Sequence, residues 1–125
     1  MRPDYDKSNL LRYYFIQMKL KENPTLKDLQ EYIEILCKER GWDKNGHLEK
    51  FLLLIEEVGE LAKATRIASG MYGEKAKAGQ KRFELEEEFA DVLNYLLDLA
   101  NHFNVDLEHA FREKNEINET RKWEE

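Results

Sequence analysis

Apolar residues recur three and four positions apart along most of this chain, while strict alternation is scarce, so the pattern predicts helices joined by short polar links. Leu26, Leu29, Ile33, Leu36 and Cys37 form one stripe over about Thr25 to Arg40. Thr25 stands at the cap position, Asp28 completes a capping box three residues on, and Gly41 ends the helix. A second helix is expected from about Leu48 to Ser69, with Phe51, Leu54, Ile55, Val58, Leu61 and Ala62 on one face. A third spans about Phe83 to Phe103, with an apolar arc of Leu85, Phe89, Val92, Leu93, Leu96, Ala100 and Phe103. Asp106 caps a fourth that reaches about Arg121, its face marked by Leu107, Ala110, Phe111 and Ile117. Gly70, Gly73 and Gly79, interspersed with Lys75, Lys77, Lys81 and Arg82, predict a basic link too glycine-rich to continue a helix. Residues 1–23 form an N-terminal extension in which Ser8 to Glu22 reads either as a helix or as a short extended piece around Tyr13 to Ile16.

These elements amount to a single all-α domain over residues 1–125, an antiparallel four-helix bundle-like arrangement. Its two long helices are apolar over more of their circumference than one layer can cover, which predicts burial between subunits and hence a homo-oligomer.

Composition narrows the partners. A formal net charge of −6 argues against a nucleic-acid polymer or an anionic membrane surface. The longest apolar run, Phe51 to Ile55, is far short of a bilayer span, and the polar start lacks the apolar core of a secretion signal. Cys37 is the one cysteine, so neither an intrachain disulfide nor a thiolate metal site can form within one chain. The expected location is the cytoplasm, where thiols stay reduced.

Charge within the two long helices is less ordinary. Glu56, Glu57 and Glu60 project from the second helix beside its apolar face, and Glu56 and Glu60 are like charges four residues apart that repel. Along the border of the third helix run Glu84, Glu88, Asp91, Tyr95 and His102, and no lysine or arginine occurs from Phe83 to Phe111. Glu84, Glu86 and Glu87 are read as solvated acids of a first helical turn, where negative charge suits the helix dipole. Glu57, Glu60, Glu88 and Asp91, spaced three apart at the edge of surfaces that must pack, point instead to a shared multivalent cation. An all-oxygen donor set selects a hard ion, Mg²⁺ or Mn²⁺ in its place, over zinc.

Lys114, Asn118 and Arg121 continue the apolar stripe of the fourth helix as a polar, cationic one. They read either as phosphate contacts or as an ordinary basic helix end that pairs with Glu113, Glu116 or Glu119.

Together, Glu56-Glu57-Val58-Gly59-Glu60 and Glu88-Phe89-Ala90-Asp91 resemble the EExxE and ExxD motifs of the MazG-like all-α nucleoside triphosphate pyrophosphohydrolases. Lys114, Asn118 and Arg121 are similar to that family's C-terminal phosphate-binding segment, and the likeness extends from about Gly41 to Trp123. The resemblance implies that Glu57, Glu60, Glu88 and Asp91 hold Mg²⁺, with Glu56 an auxiliary acid and Tyr95 beside the nucleotide. It implies attack of a metal-activated water on the α-phosphorus of a nucleoside triphosphate, deoxynucleosides favoured, with Glu57 or Glu60 as base and pyrophosphate leaving. The role stays open between removal of non-standard nucleotides and trimming of a normal pool, and the implied assembly is a dimer or a dimer of dimers. Trp42 matches an aromatic that touches the base in some relatives, although a tryptophan there also serves packing. His47 and His102 read as structural. Two rival readings remain open: an enzyme acting on phosphoribosyl-ATP, and a non-catalytic oligomerisation module whose acidic seam binds cations.

Overall fold

A computed structural model of the chain describes residues 20–71 and 78–121, and these are all-α, with no strand among them. Four α-helices follow in order: α1 (Leu26–Arg40), α2 (His47–Ala68), α3 (Ala78–His102) and α4 (Leu107–Thr120), with a 3-10 turn at Trp42–Lys44. The expected N-terminal segment lies largely outside the described residues, as do Gly73, Lys75 and Lys77 of the basic link. None of the helices described is long and apolar enough to cross a membrane.

The described residues group into two compact units, one holding those up to Asp43 together with those from Ala100 on, the other those between Lys44 and Leu99. In the first unit, α1 begins where its sequence places it. The Thr25 hydroxyl accepts from the Asp28 backbone N–H at 3.1 Å, and the Asp28 carboxylate accepts from the Thr25 N–H at 3.0 Å. That backbone bond, helped by Lys21 at 3.2 Å, holds the Asp28 carboxyl below its ordinary value. Gly41, at φ 75°, turns the chain out of α1 through the left-handed region.

The inner polar feature of this unit is Gln30, which is buried. Its amide nitrogen donates to Asn101 Oδ1 at 3.0 Å and to the Val105 carbonyl at 2.8 Å, and its oxygen accepts from the Leu107 N–H at 3.0 Å. Asn101 returns a bond to the Gln30 carbonyl at 2.8 Å. One side chain thereby satisfies the first N–H of α4 and secures the α3–α4 turn to α1. That turn closes when Asn104 adopts φ 55° and the Val105 and Asn104 N–H groups bond back to Ala100 and Asn101. Asp106 then caps α4 by accepting from the His109 N–H at 3.1 Å.

In the second unit, α2 and α3 run antiparallel along a heptad seam. Lys50, Leu54, Glu57, Leu61 and Ala64 recur at alternating steps of four and three on α2, and Glu84, Glu88, Asp91, Tyr95 and Asp98 do so on α3. Lys50 meets Asp98 at one end, Glu57 meets Glu88 and Asp91 in the middle, and Ala64 shares a cleft with Glu84 at the other.

Two expectations change here. The face of α2 read as packing is largely open within one chain: Phe51, Ile55 and Val58 are exposed, as are Phe89, Leu93 and Leu96 of α3. The helices meet instead along a seam that mixes Leu54, Leu61 and Ala64 with charged side chains, which leaves much of the apolar faces outward. The third helix also starts five residues earlier than expected, at Ala78. Gly79 is absorbed into its first turn, and the i, i+4 pairs Gln80–Glu84 at 3.1 Å and Arg82–Glu86 at 2.8 Å support the extension. Glu84, Glu86 and Glu87 are therefore not first-turn acids, and the dipole argument for them lapses.

Candidate metal centre

Glu57 sits at a heptad position of α2, seven residues after Lys50 and seven before Ala64, so it points into the seam rather than to solvent. Glu88 and Asp91, three apart on α3, present their carboxylates to the same point. One oxygen from each of Glu57, Glu88 and Asp91 lies within 4.8 Å of the other two, and all three side chains are half-buried.

Three acids so placed cannot all carry charge without penalty. Burial, and then the charges of Asp91, Glu88 and Glu56, raise the proton affinity of Glu57 above the ordinary glutamate range. Burial followed by Asp91 and Glu60 does the same to Glu88. Among the described residues, Glu88 Oε2 is a buried side-chain oxygen with no hydrogen-bond partner. A buried acceptor without a donor suits a site where a cation could supply the missing partner. The donors are all oxygen, half-buried and strongly negative, so the cluster fits a hard divalent ion.

The other residues singled out in the sequence fall around this point or elsewhere. Tyr95 is half-buried one turn beyond Asp91; burial, then the charges of Glu57 and Asp91, push its hydroxyl proton affinity up. Glu60 is exposed and is not one of the three converging acids. It lines a neighbouring cleft of about 290 Å³ with Lys63, Ala64, Ile67, Glu84 and Glu88. Glu56 is also exposed, and bears on the cluster through its charge on Glu57. Lys114, Asn118, Arg121 and Trp42 belong to the first unit. Lys114 is exposed on α4, Asn118 donates to Asn115 Oδ1 at 3.4 Å, and Arg121 closes the helix with its N–H on the Asn118 carbonyl at 3.2 Å. Trp42, 46% exposed, carries the Arg40 guanidinium 5.6 Å from its ring centre.

Sequence reasoning passed over Lys50, Asp98 and Lys63. The first two had a signal: they extend the spacing of the acids by seven residues on each helix, Lys50 ahead of Glu57 and Asp98 behind Asp91. Lys63 carried no such mark.

Residues 45–123 match the family described as the MazG nucleotide pyrophosphohydrolase domain. The chain is similar to dCTP pyrophosphatase 1 of Homo sapiens, 37% identical over 100 residues, which is 78% of this chain and 59% of that protein. The Mus musculus dCTP pyrophosphatase 1 is 35% identical over 105 residues, 82% of this chain and 62% of its own length. The uncharacterized protein YvdC of Bacillus subtilis (strain 168) is 35% identical over 92 residues, 70% of this chain and 86% of that one. The chain thus spans about three fifths of the length of the mammalian relatives it matches.

Proposed function

We propose, from the premise that this chain belongs to the MazG nucleotide pyrophosphohydrolase domain family, that it hydrolyses a nucleoside triphosphate to the monophosphate and pyrophosphate with the help of Mg²⁺. The observation that carries this reading is the convergence of Glu57, Glu88 and Asp91 around a buried, partnerless carboxylate oxygen. The mammalian relatives are named for dCTP, so a deoxynucleoside triphosphate is the first substrate to test.

Glu57, Glu88 and Asp91 would hold the ion, with Glu60 at the margin and Glu56 adding charge. A divalent cation supplies charge neutralisation for the triphosphate and makes water easier to deprotonate. The chain's own part is to place a base. Glu57, set among the acids of the seam, is one candidate to accept a proton from water. Glu60, on the cleft beside it, is the other candidate. Tyr95, half-buried next to the acids, is proposed as a wall of the nucleotide site. Lys114, Asn118 and Arg121 are proposed as phosphate contacts and Trp42 as a contact to the base.

The open apolar faces of α2 and α3 support the homo-oligomer expected from the sequence, because Phe51, Leu52, Ile55, Phe89 and Leu96 lie exposed on one chain.

The test is a Mg²⁺ assay across deoxy-, ribo- and modified triphosphates together with phosphoribosyl-ATP, products resolved by ion exchange. The wild type should release pyrophosphate, while Glu57→Gln and Asp91→Asn should lose the activity and keep their helical circular dichroism. Turnover by either variant at the wild-type rate would overturn the assignment. Stabilisation by metal with no turnover of any nucleotide would favour the non-catalytic module.

A further inference from the structure

The seam that brings the acids together holds one attraction of a different kind. Lys50 is 3% exposed, the one charged side chain in the buried class among the described residues, and its Nζ donates to Asp98 Oδ1 at 2.6 Å. Asp98 is itself mostly covered, its side chain 13% exposed. Lys50 precedes Glu57 by seven residues and Asp98 follows Asp91 by seven, so the pair lies on the same seam, about 10 Å along the helices from the acids.

Consider what sets the alignment of α2 against α3. Leu54, Leu61 and Ala64 contribute apolar contact, which is indifferent to a slide of one turn. Glu57, Glu88 and Asp91 repel one another and resist their own juxtaposition. A buried ammonium, by contrast, cannot be left without its counter-ion. Sliding α2 by one turn, about 5.4 Å, would separate Lys50 from Asp98 and strand two desolvated charges. A buried polar contact of this sort selects register in paired helices, and does so even when it adds little net stability.

We propose that the Lys50–Asp98 ion pair is a positioning device for the metal centre: it fixes the register of α2 on α3 and so holds Glu57 opposite Glu88 and Asp91 before any cation arrives. This rests on the reading of those three acids as metal ligands. Lys50 and Asp98 touch neither ion nor substrate and act only through the placement of other side chains. The same logic explains why a lysine is tolerated at a buried heptad position where leucine would pack at lower cost. An apolar pair there would leave the repelling acids free to slip apart.

The experiment compares wild type, Lys50→Met and the double variant Lys50→Met/Asp98→Leu in the full-length chain. Two quantities are read: the melting temperature in EDTA, and the dissociation constant for Mn²⁺ from electron paramagnetic resonance of the free ion. Lys50→Met alone leaves Asp98 buried and unpaired, and should melt lower than wild type. The double variant exchanges a buried ion pair for apolar bulk, which proteins commonly accept, so its melting temperature should return to that of wild type. Its Mn²⁺ affinity should nonetheless stay roughly tenfold or more below wild type, the range seen when residues that orient metal ligands are removed. A double variant that binds Mn²⁺ as tightly as wild type would show the pair to be structural filling and overturn the proposal. A double variant that fails to fold would overturn it too, since the pair would then be a requirement of folding rather than of positioning. Glu88→Gln separates the two layers of inference. If that substitution leaves Mn²⁺ affinity unchanged, or wild type binds no Mn²⁺, the metal centre itself is wrong, whatever the ion pair does.

Discussion

Replacing Glu88 by glutamine should make the metal-free protein more stable and abolish its stabilisation by Mg²⁺. Glu88 faces Glu57 and Asp91 with carboxylate oxygens no more than 4.8 Å apart. At that separation two full charges repel by about 1 kcal/mol at the dielectric of water and by about 3.5 kcal/mol at an effective value near 20. The side chains are half-buried and not fully withdrawn from water, so the lower end applies. Two neighbours then give a relief of about 2 kcal/mol, reduced somewhat because the amide still occupies the site of the partnerless Oε2. For a chain of 125 residues that is a rise in melting temperature of roughly 4–8 °C. Differential scanning calorimetry at pH 7.5 in EDTA measures it directly. A second scan in millimolar Mg²⁺ should raise the wild type and leave Glu88→Gln nearly unmoved, because a ligand stabilises only the state that binds it. A variant that melts below wild type in EDTA, or that gains as much from Mg²⁺ as wild type does, would refute the idea that these acids are held together against their own repulsion.

Three further outcomes follow. Because Glu57 and Glu88 bind protons more tightly folded than unfolded, metal-free stability should fall as pH rises from the ordinary glutamate range through their raised values. That decline should flatten in Mg²⁺, and urea titrations across pH 4.5–7.5 with and without the ion would show whether it does. Gln30→Ala removes the clamp on the α3–α4 turn and strands the Leu107 N–H, at a cost of about 2–4 kcal/mol, while Mn²⁺ affinity stays as in wild type. Chemical denaturation beside a metal titration separates the two. Ile55→Asp places a charge in the open face of α2 and should shift the mass by light scattering toward the monomer, leaving helix content intact; an unchanged mass would place any subunit contact elsewhere.

How much of this was legible in the sequence differs between the two units. Local chemistry wrote the ends of α1 and α4 plainly, since Thr25, Asp28, Gly41 and Asp106 act on backbone groups within a few residues. The convergence of Glu57, Glu88 and Asp91 was also accessible, because like charges repeated beside apolar surface demand an explanation. The direction of the two long helices was not. Hydrophobic periodicity marks an apolar face, and for α2 and α3 much of that face lies open on one chain instead of in their mutual seam. Lys50 and Asp98, polar and off the apolar stripes, drew no notice in the sequence for that reason, although they pair in the interior. The start of α3 was misjudged for a related reason: Gly79 costs about 1 kcal/mol in a helix, and the pairs Gln80–Glu84 and Arg82–Glu86 offset it only once the helix exists.

Because α2 and α3 meet at Lys50, Asp98, Glu57, Glu88 and Asp91, their union is held largely by charge and not by apolar contact alone. The dissolved ions of the surrounding medium thereby take a share in keeping the two helices together.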